Sequence, residues 1–321
     1  MPEKMVLNMP ESPLPRSTWK RRLVRWTVLL VVVPYLVLLT LFGLFQRSFI
    51  YPGGQQAVIR PEDARLPAGQ VHDIRIKTDD GLQLNGWLVL ADSHAVQTTA
   101  ALTDELQAGR YLVLYFPGNA GNRLNRAFDC REFAELQCDV VLVDYRGYGD
   151  NPGSPREELL AADALSVWKH LTEEYQVSAE RILLFGESLG GGVATRLAEH
   201  LCTTGERPAG LILNSTFSSM TDTARWHYPF FPVRTILLDR YPSADRISSV
   251  TCPIVAIHGA EDRIVPIELG RRLFESAPME SASGIAKRFI EVPSAGHNSV
   301  PRRELRDAVE ELLPQIESGE R

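Results

Sequence analysis

The sequence is short of several things, and each shortage narrows the field. Cysteine occurs four times in 321 residues, at positions 130, 138, 202 and 252, and never as C-x-x-C. That spacing offers no metal-binding framework. Cys130 and Cys138 could pair in an exported domain; otherwise all four read as small buried apolar residues. No internal repeat and no low-complexity tract is visible, which removes solenoids and biased linkers. Positive charge is scarce outside the N-terminus. The net charge is −6, yet seven Lys/Arg against Glu3 and Glu11 leave the first 50 residues at +5 and the remaining 271 at −11. An acidic body argues against nucleic acid as a partner. The glycine-rich PGNAGN (117–122) lacks the G-K-[ST] ending that a phosphate loop requires.

One long apolar run is present. Residues 26–45 (WTVLLVVVPYLVLLTLFGLF) contain no charge. At a helical rise they span about 30 Å, the thickness of a bilayer core. Pro34 is tolerable in such a helix. Trp19, Trp26, Phe49 and Tyr51 suit the two interfaces. The run is too long for a signal-peptide core, and LFGLFQRSFIYP offers no small-x-small cleavage site. The expectation is an uncleaved transmembrane anchor at 26–45 behind a basic tail, 1–25. Lys20, Arg21, Arg22 and Arg25 precede it and Arg47 follows. The positive-inside rule then places the N-terminus in the cytoplasm and the large domain across the membrane.

Residues 46–70, with Pro52, Gly53, Gly54, Pro61, Pro67 and Gly69, read as a connector. From 71 to 321 strand-like and helix-like stretches alternate. Residues 71–78 and 82–91 read as an antiparallel hairpin around DDG. Buried strands follow at 110–116, 139–145, 181–185, 210–215, 253–259 and 287–292, with helices between them. Apolar, non-alternating strands separated by helices predict an α/β fold: a mainly parallel sheet covered on both faces, with an antiparallel edge. Ser154, Pro155 and Glu157 read as a capping box opening a helix that runs to about Tyr175. Residues 216–250 separate two strands by about 35 positions and are rich in aromatics. A loop that long calls for structure of its own: a small helical cap over the sheet edge, or a crossover with one or two short helices and no part in substrate binding.

The stretch LLFGESLGGG (183–192) places Ser188 between a buried strand and a helix. G-x-S-x-G arises by accident in roughly one chain in ten of this length, so its setting matters more than the motif. On a sharp strand-to-helix turn, Gly186 and Gly190 give the backbone room and Ser188 is presented as a nucleophile. A serine hydroxyl needs a base, and the base needs an acid. In this architecture the acid follows the serine and the histidine comes last. After strand 253–259 comes AEDRIVP, offering Asp262, with Glu261 in reserve. After strand 287–292 comes PSAGHNS, offering His297, and no other histidine lies downstream of the acid. Asp222, Asp239 and Asp245 read as cap-surface or helix-end residues. His258 reads as structural, His227 as a surface or packing residue, and His72, His94, His170 and His200 lack a partner pattern. An oxyanion needs two backbone donors. The N–H of Leu189, after the serine, is one; the other is expected from PGNAGN, at Asn119.

FPGNAGN, DYRGYG, GESLGG, HGAEDRIVP and AGHN, in this order, resemble the α/β-hydrolase superfamily. They are most similar to membrane-anchored serine hydrolases of the fungal bud-emergence and animal ABHD types, over roughly residues 46–315. The resemblance implies Ser188 as nucleophile, Asp262 as acid, His297 as base, and Asn119 and Leu189 as oxyanion donors. It implies that DYRGYG (144–149) is a structural loop beside the site. Many relatives have His-Gly where this chain has Pro117-Gly118; the implied donor lies two residues on, so the hole is expected to survive with altered bracing. The expected activity is hydrolysis of carboxylic esters or thioesters, of lipid or acyl-chain substrates, without cofactor or metal. A serine peptidase or amidase would use the same triad, and a silent membrane-tethered scaffold would keep the fold without the chemistry.

Overall fold

A computed structural model describes residues 18–56, 58–92, 99–107 and 109–319. The first 17 residues of the expected basic tail, and His94, lie outside the described residues. The chain divides into two units, Met1–Gln46 and Arg47–Arg321.

The first unit is helical where described: α1 (Thr18–Thr27), a π-helical stretch (Val28–Val32), and α2 (Val33–Ile50), whose last turn belongs to the second unit. Pro34 has no N–H and its ring crowds the preceding turn. The wider π turn lies immediately before it, which is where such a helix relieves that conflict. Trp19–Ile50 is long and apolar enough to cross a membrane.

The second unit is built on an eight-stranded sheet. Its elements in chain order are β1 (Val71–Lys77), β2 (Gln83–Val89), α3 (Thr99–Leu106), β3 (Leu112–Phe116), α4 (Ala127–Glu135), β4 (Asp139–Val143), α5 (Glu157–Lys169), β5 (Ile182–Glu187), α6 (Leu189–Thr204) and β6 (Gly210–Asn214). Three short helices follow, α7 (Met220–His227), α8 (Val233–Ile236) and α9 (Ser243–Ile247), then β7 (Ile254–Gly259), α10 (Ile267–Ser276), β8 (Arg288–Val292) and α11 (Arg302–Gly319). The strand order is β1-β2-β4-β3-β5-β6-β7-β8. The β1–β2 and β2–β4 pairs are antiparallel and the rest parallel.

The apolar runs explain the layers. Strand side chains alternate between faces, and here both faces are buried. Leu114, Val141, Leu184 and Leu211 point to one side, with Trp168 of α5 and Leu197 of α6. Val113, Leu142, Leu183 and Ile212 point to the other, with Phe133 of α4 and Val309 of α11. Because β3 to β8 run parallel, the loops after β3, β5, β7 and β8 all emerge at one edge, and that edge carries the candidate site.

Residues 216–250 form the three short helices rather than a structureless loop. Phe217 and Tyr241 are buried against α6, where Gly192 makes room: a Cβ there would lie 2.8 Å from the Tyr241 ring. Trp226, Tyr228 and Phe230 stay exposed. The segment is held by polar groups from far away in sequence. Glu157 accepts the Arg240 and Tyr241 amides at 2.7 and 2.9 Å and pairs with Arg246 at 2.9 Å. Arg47 pairs with Asp239 at 3.0 Å, and the Tyr51 and Tyr241 hydroxyls share a hydrogen bond of 2.8 Å.

These ties overturn two expectations. The capping box at Ser154 does not form: α5 starts at Glu157 with Arg156 in the cap position, and no side chain caps it. The Glu157 carboxylate is taken by the backbone at 240–241 and by Arg246, three partners that outweigh one local amide. Asp239 is not a surface residue; it is buried because Arg47 neutralises it there. The cysteines are all free, and Cys130 and Cys138 are separately buried. Cys202 is only half-buried and differs from the other three. It accepts the Thr251 amide at 3.4 Å.

Candidate active site

Ser188 sits at φ 51°, ψ −114°, between the end of β5 and the first turn of α6. A non-glycine residue in that region is strained. The surroundings impose it. The Ser188 amide donates to the Asn214 carbonyl at 2.9 Å, and its own carbonyl accepts Thr216 Oγ1 at 2.7 Å and the Gly191 amide at 3.0 Å. Gly190 is required by space: a Cβ would lie 2.0 Å from the Phe116 carbonyl oxygen. Helix α6 therefore packs backbone to backbone against the end of β3.

The loop after β8 brings His297 to this turn. Its Nε2 lies 2.9 Å from Ser188 Oγ, and its Nδ1 lies 2.6 Å from Asp262 Oδ2. The Asp262 side chain is fully buried. Its other oxygen accepts the Ile264 and Val265 amides at 2.9 and 2.8 Å. Burial pulls its pKa upward, but hydrogen bonds from His258 and His297 and from the Val265 amide outweigh that and hold the carboxyl well below the usual range. The residues read from the sequence as Ser188, His297 and Asp262 are thus brought into one hydrogen-bonded line. Glu261 takes no place in it.

His258 is a contact that sequence reasoning missed. Its Nε2 lies 3.3 Å from Asp262 Oδ2 and 2.9 Å from the Val265 carbonyl. It is buried against Gly270 of α10, where a Cβ would come within 2.3 Å of Nδ1. The available signal was its position, four residues before the acid at the end of β7. His227 is on the surface, with Nε2 at 2.8 Å from the Ile264 carbonyl.

The loop after β3 lies alongside. Tyr145 donates its hydroxyl to the Pro117 carbonyl at 2.8 Å, and Tyr148 to the Asn119 carbonyl at 2.9 Å. Asn119 Nδ2 donates to the Ile50 carbonyl at 3.0 Å. The two tyrosines of DYRGYG therefore brace the loop from its carbonyl side. Among the described residues, none accepts the Asn119 backbone N–H. Leu189 is buried at the first position of α6.

Beside His297 lies a cavity of about 390 Å³. Arg126 grips Glu187, the residue before the serine, through Nε at 2.7 Å and Nη2 at 3.0 Å. Tyr115 donates to Glu187 at 2.9 Å. Burial raises the Tyr115 pKa well above its ordinary value, helped by the Glu187 and Asp129 charges, so the phenol stays a donor. Among the described residues there is no cluster of His, Cys, Asp and Glu fit to hold a metal ion.

Residues 120–248 match a family model described as the alpha/beta hydrolase fold. That span includes Ser188 and stops short of Asp262 and His297. The chain is 39% identical over 253 residues to an uncharacterized protein of Mycobacterium tuberculosis, covering 78% of this chain and 81% of that one. It is 29% identical over 257 residues to the lysophosphatidylserine lipase ABHD12 of Danio rerio, covering 74% of this chain and 66% of that one. The Mus musculus lipase of the same name is 32% identical over 203 residues, 58% of this chain and 50% of that one, so the chain spans about half the length of this mammalian relative. Among solved structures, an esterase of Pyrococcus furiosus superposes with a TM-score of 0.60 at 17% identity, over 83% of this chain and 98% of that one. An alpha-beta hydrolase of Vibrio vulnificus gives 0.59 at 17%, over 83% and 96%. These two speak for the fold alone. Fold, motifs and relatives agree: the chain belongs to the α/β-hydrolase superfamily, as a hydrolase of the ABHD type.

Proposed function

We propose that this hydrolase is a serine esterase acting on lipid or acyl-chain esters or thioesters through an acyl-enzyme. The observation that carries the reading is the line Ser188 Oγ–His297 Nε2–Asp262, at 2.9 and 2.6 Å, on a serine held in strained backbone. His297 takes the Ser188 proton as the hydroxyl attacks the carbonyl carbon. The amides of Asn119 and Leu189 stabilise the oxyanion, and the α6 N-terminus adds its positive end. His297 then protonates the departing alcohol or thiol, and a water it activates releases the acid. Asp262 fixes the His297 tautomer and stabilises its charged form. His258 and the 264–265 amides hold Asp262 in turn.

Lipase-named relatives and an N-terminal helix able to cross a membrane support a lipid substrate and a membrane-held enzyme. The lysine and arginine residues before the uncharged stretch 26–45 support a cytoplasmic N-terminus with the hydrolase domain across the membrane. A reporter fused at the C-terminus and probed by protease from each side tests that orientation; protection from the outer side would reverse it.

The chemical test is fluorophosphonate labelling of the full chain in detergent beside Ser188→Ala. Labelling that vanishes in the variant establishes an activated serine at 188. A folded wild-type chain that neither labels nor hydrolyses acyl esters would sink the reading.

A further inference from the structure

Two of the free thiols touch, although they lie far apart in the chain. Cys202 stands in the last turn of α6, and Cys252 two residues before β7. The Thr251 amide donates to Cys202 Sγ at 3.4 Å, and the Cys252 thiol is hydrogen-bonded to the same sulfur. The backbone on each side of Cys252 is fixed. The Thr251 carbonyl accepts the Ala282 amide at 2.8 Å, and the Pro253 carbonyl accepts the Leu211 amide at 2.8 Å.

The two sulfurs are unequal. Cys202 is half-buried beside the exposed Thr251, whereas Cys252 lies in the core. Hydrogen bonds from the Cys252 thiol and from the Thr251 hydroxyl and amide outweigh burial and hold the Cys202 thiol below its ordinary range. The same pairing, with burial, raises Cys252. Burial also raises Cys130 and Cys138. Of the four, Cys202 is therefore the thiolate at neutral pH, the form that oxidants attack. An accessible thiolate with a second thiol against it is the arrangement in which oxidation stops reversibly at a disulfide.

We propose that Cys202 and Cys252 form a thiol oxidation site, in which Cys202 reacts with a hydroperoxide and Cys252 resolves the product as an intrachain disulfide. The Cys202 thiolate attacks the terminal peroxide oxygen. The O–O bond breaks, the departing oxygen takes up a proton, and Cys202 becomes a sulfenic acid. The Cys252 sulfur then displaces the sulfenic oxygen, which leaves as water with the Cys252 proton. Two thiols lose two electrons to one peroxide. The bridge joins the C-terminal end of α6 to the start of β7, at the sheet edge opposite Ser188. The loop it closes contains β6 and all of 216–250, the segment otherwise held by Glu157, Arg47 and Tyr51. It braces that segment covalently and owes nothing to the Ser188 chemistry.

The test uses the full chain in detergent, reduced, freed of reductant and exposed to hydrogen peroxide at neutral pH. Remaining thiols are alkylated in denaturant, and the protein is weighed and mapped by mass spectrometry. Two of the four thiols should disappear with the loss of two hydrogens, as a 202–252 crosslink that dithiothreitol reverses. Reaction at Cys202 should outpace that at Cys130 and Cys138 by about tenfold or more. The oxidised chain should melt about 5 °C or more above the reduced one. Cys202→Ser should abolish both the crosslink and the shift. Cys252→Ser should stop at a sulfenic acid on Cys202, captured by dimedone. Cys202 is half-buried at a helix end, so its variant keeps the test decisive where Cys252→Ser fails to fold. Four thiols that survive a peroxide dose sufficient to oxidise free cysteine, a 130–138 crosslink, or disulfide-linked dimers in place of the intrachain bridge would overturn the site. An unchanged melting temperature would overturn the bracing of 216–250.

Discussion

The edge carrying Ser188 and the segment 216–250 are held in opposite ways. At the edge, geometry is enforced within a few residues: a glycine with no room for a Cβ, and a strained serine pinned by neighbouring carbonyls and hydroxyls. The segment owes its place to single polar groups from distant parts of the chain, Glu157, Arg47 and Tyr51. Local enforcement fixes positions to fractions of an ångström, as proton transfer requires. Long-range ties fix a whole body by a few contacts, and each tie carries more of its stability. Damage at the edge should therefore always appear in rate, whether or not stability falls with it, and damage to the ties in stability alone.

The largest effect expected is at Asp262. Asp262→Asn should lower kcat for an acyl ester by about 10⁴-fold, because the amide holds the wrong tautomer of His297. Steady-state hydrolysis measures it. The same pair of proteins reports the sign of the carboxyl's contribution to folding. Its folded pKa is depressed, by His258, His297 and the Val265 amide acting against burial. Such a group stabilises the fold fully above the unfolded value of about 3.9, and loses that contribution as pH falls through the folded value. The gap in urea midpoint between wild type and Asp262→Asn should persist from pH 8 to about pH 4 and close below. A gap that closes near pH 6 would contradict the depressed carboxyl.

The next two variants separate the regions. Gly190→Ala drives a methyl group into the Phe116 carbonyl, where the obstacle is backbone and cannot turn aside. A loss of about 3 kcal/mol or more is expected from denaturant melts, with activity lost as β3 and α6 are forced apart. Glu157→Gln keeps an acceptor for the 240–241 amides but leaves Arg246 without its buried partner. It should cost about 2 kcal/mol while kcat stays within a few-fold of wild type. A Gln variant as stable as wild type but poor in kcat would mean that the segment's placement governs the chemistry, and the contrast between the regions would fail.

The same division explains what the sequence revealed. All eight strands were legible: β1 and β2 as a hairpin around DDG, and most of the parallel strands because a buried parallel strand is an unbroken apolar run that ends at a turn signal. Ser188, Asp262 and His297 could be placed because the architecture orders them along the chain and each follows a strand. Nothing local announced that Glu157 would serve residues 240 and 241, so its proximity to Ser154 suggested a capping box that tertiary partners displaced. Asp239 read as surface because the arginine that buries it lies 192 positions away. His258 carried a positional signal, four residues before the acid, but only the fold shows that its ring turns towards that carboxylate. The Arg126–Glu187 pair was hidden for the same reason, although Glu187 sits inside the G-x-S-x-G motif itself.

The smallest expected effect tests the strain directly. Ser188 at φ 51° holds a conformation that a Cβ makes unfavourable. Ser188→Ala removes the hydroxyl and keeps the Cβ; Ser188→Gly removes both. Each loses the hydrogen bond to His297, so that term cancels between them. Glycine also gains freedom in the unfolded chain, which works against it by about 0.4–1 kcal/mol. If the turn stores about 1–2 kcal/mol, the glycine variant should still be the more stable of the two, by about 0.5–1 kcal/mol. Thermal and urea melts of the two inactive proteins decide it. An alanine variant that is the more stable would mean that the elbow is relaxed as built, and that the sharp turn is set by the Gly190 contact alone.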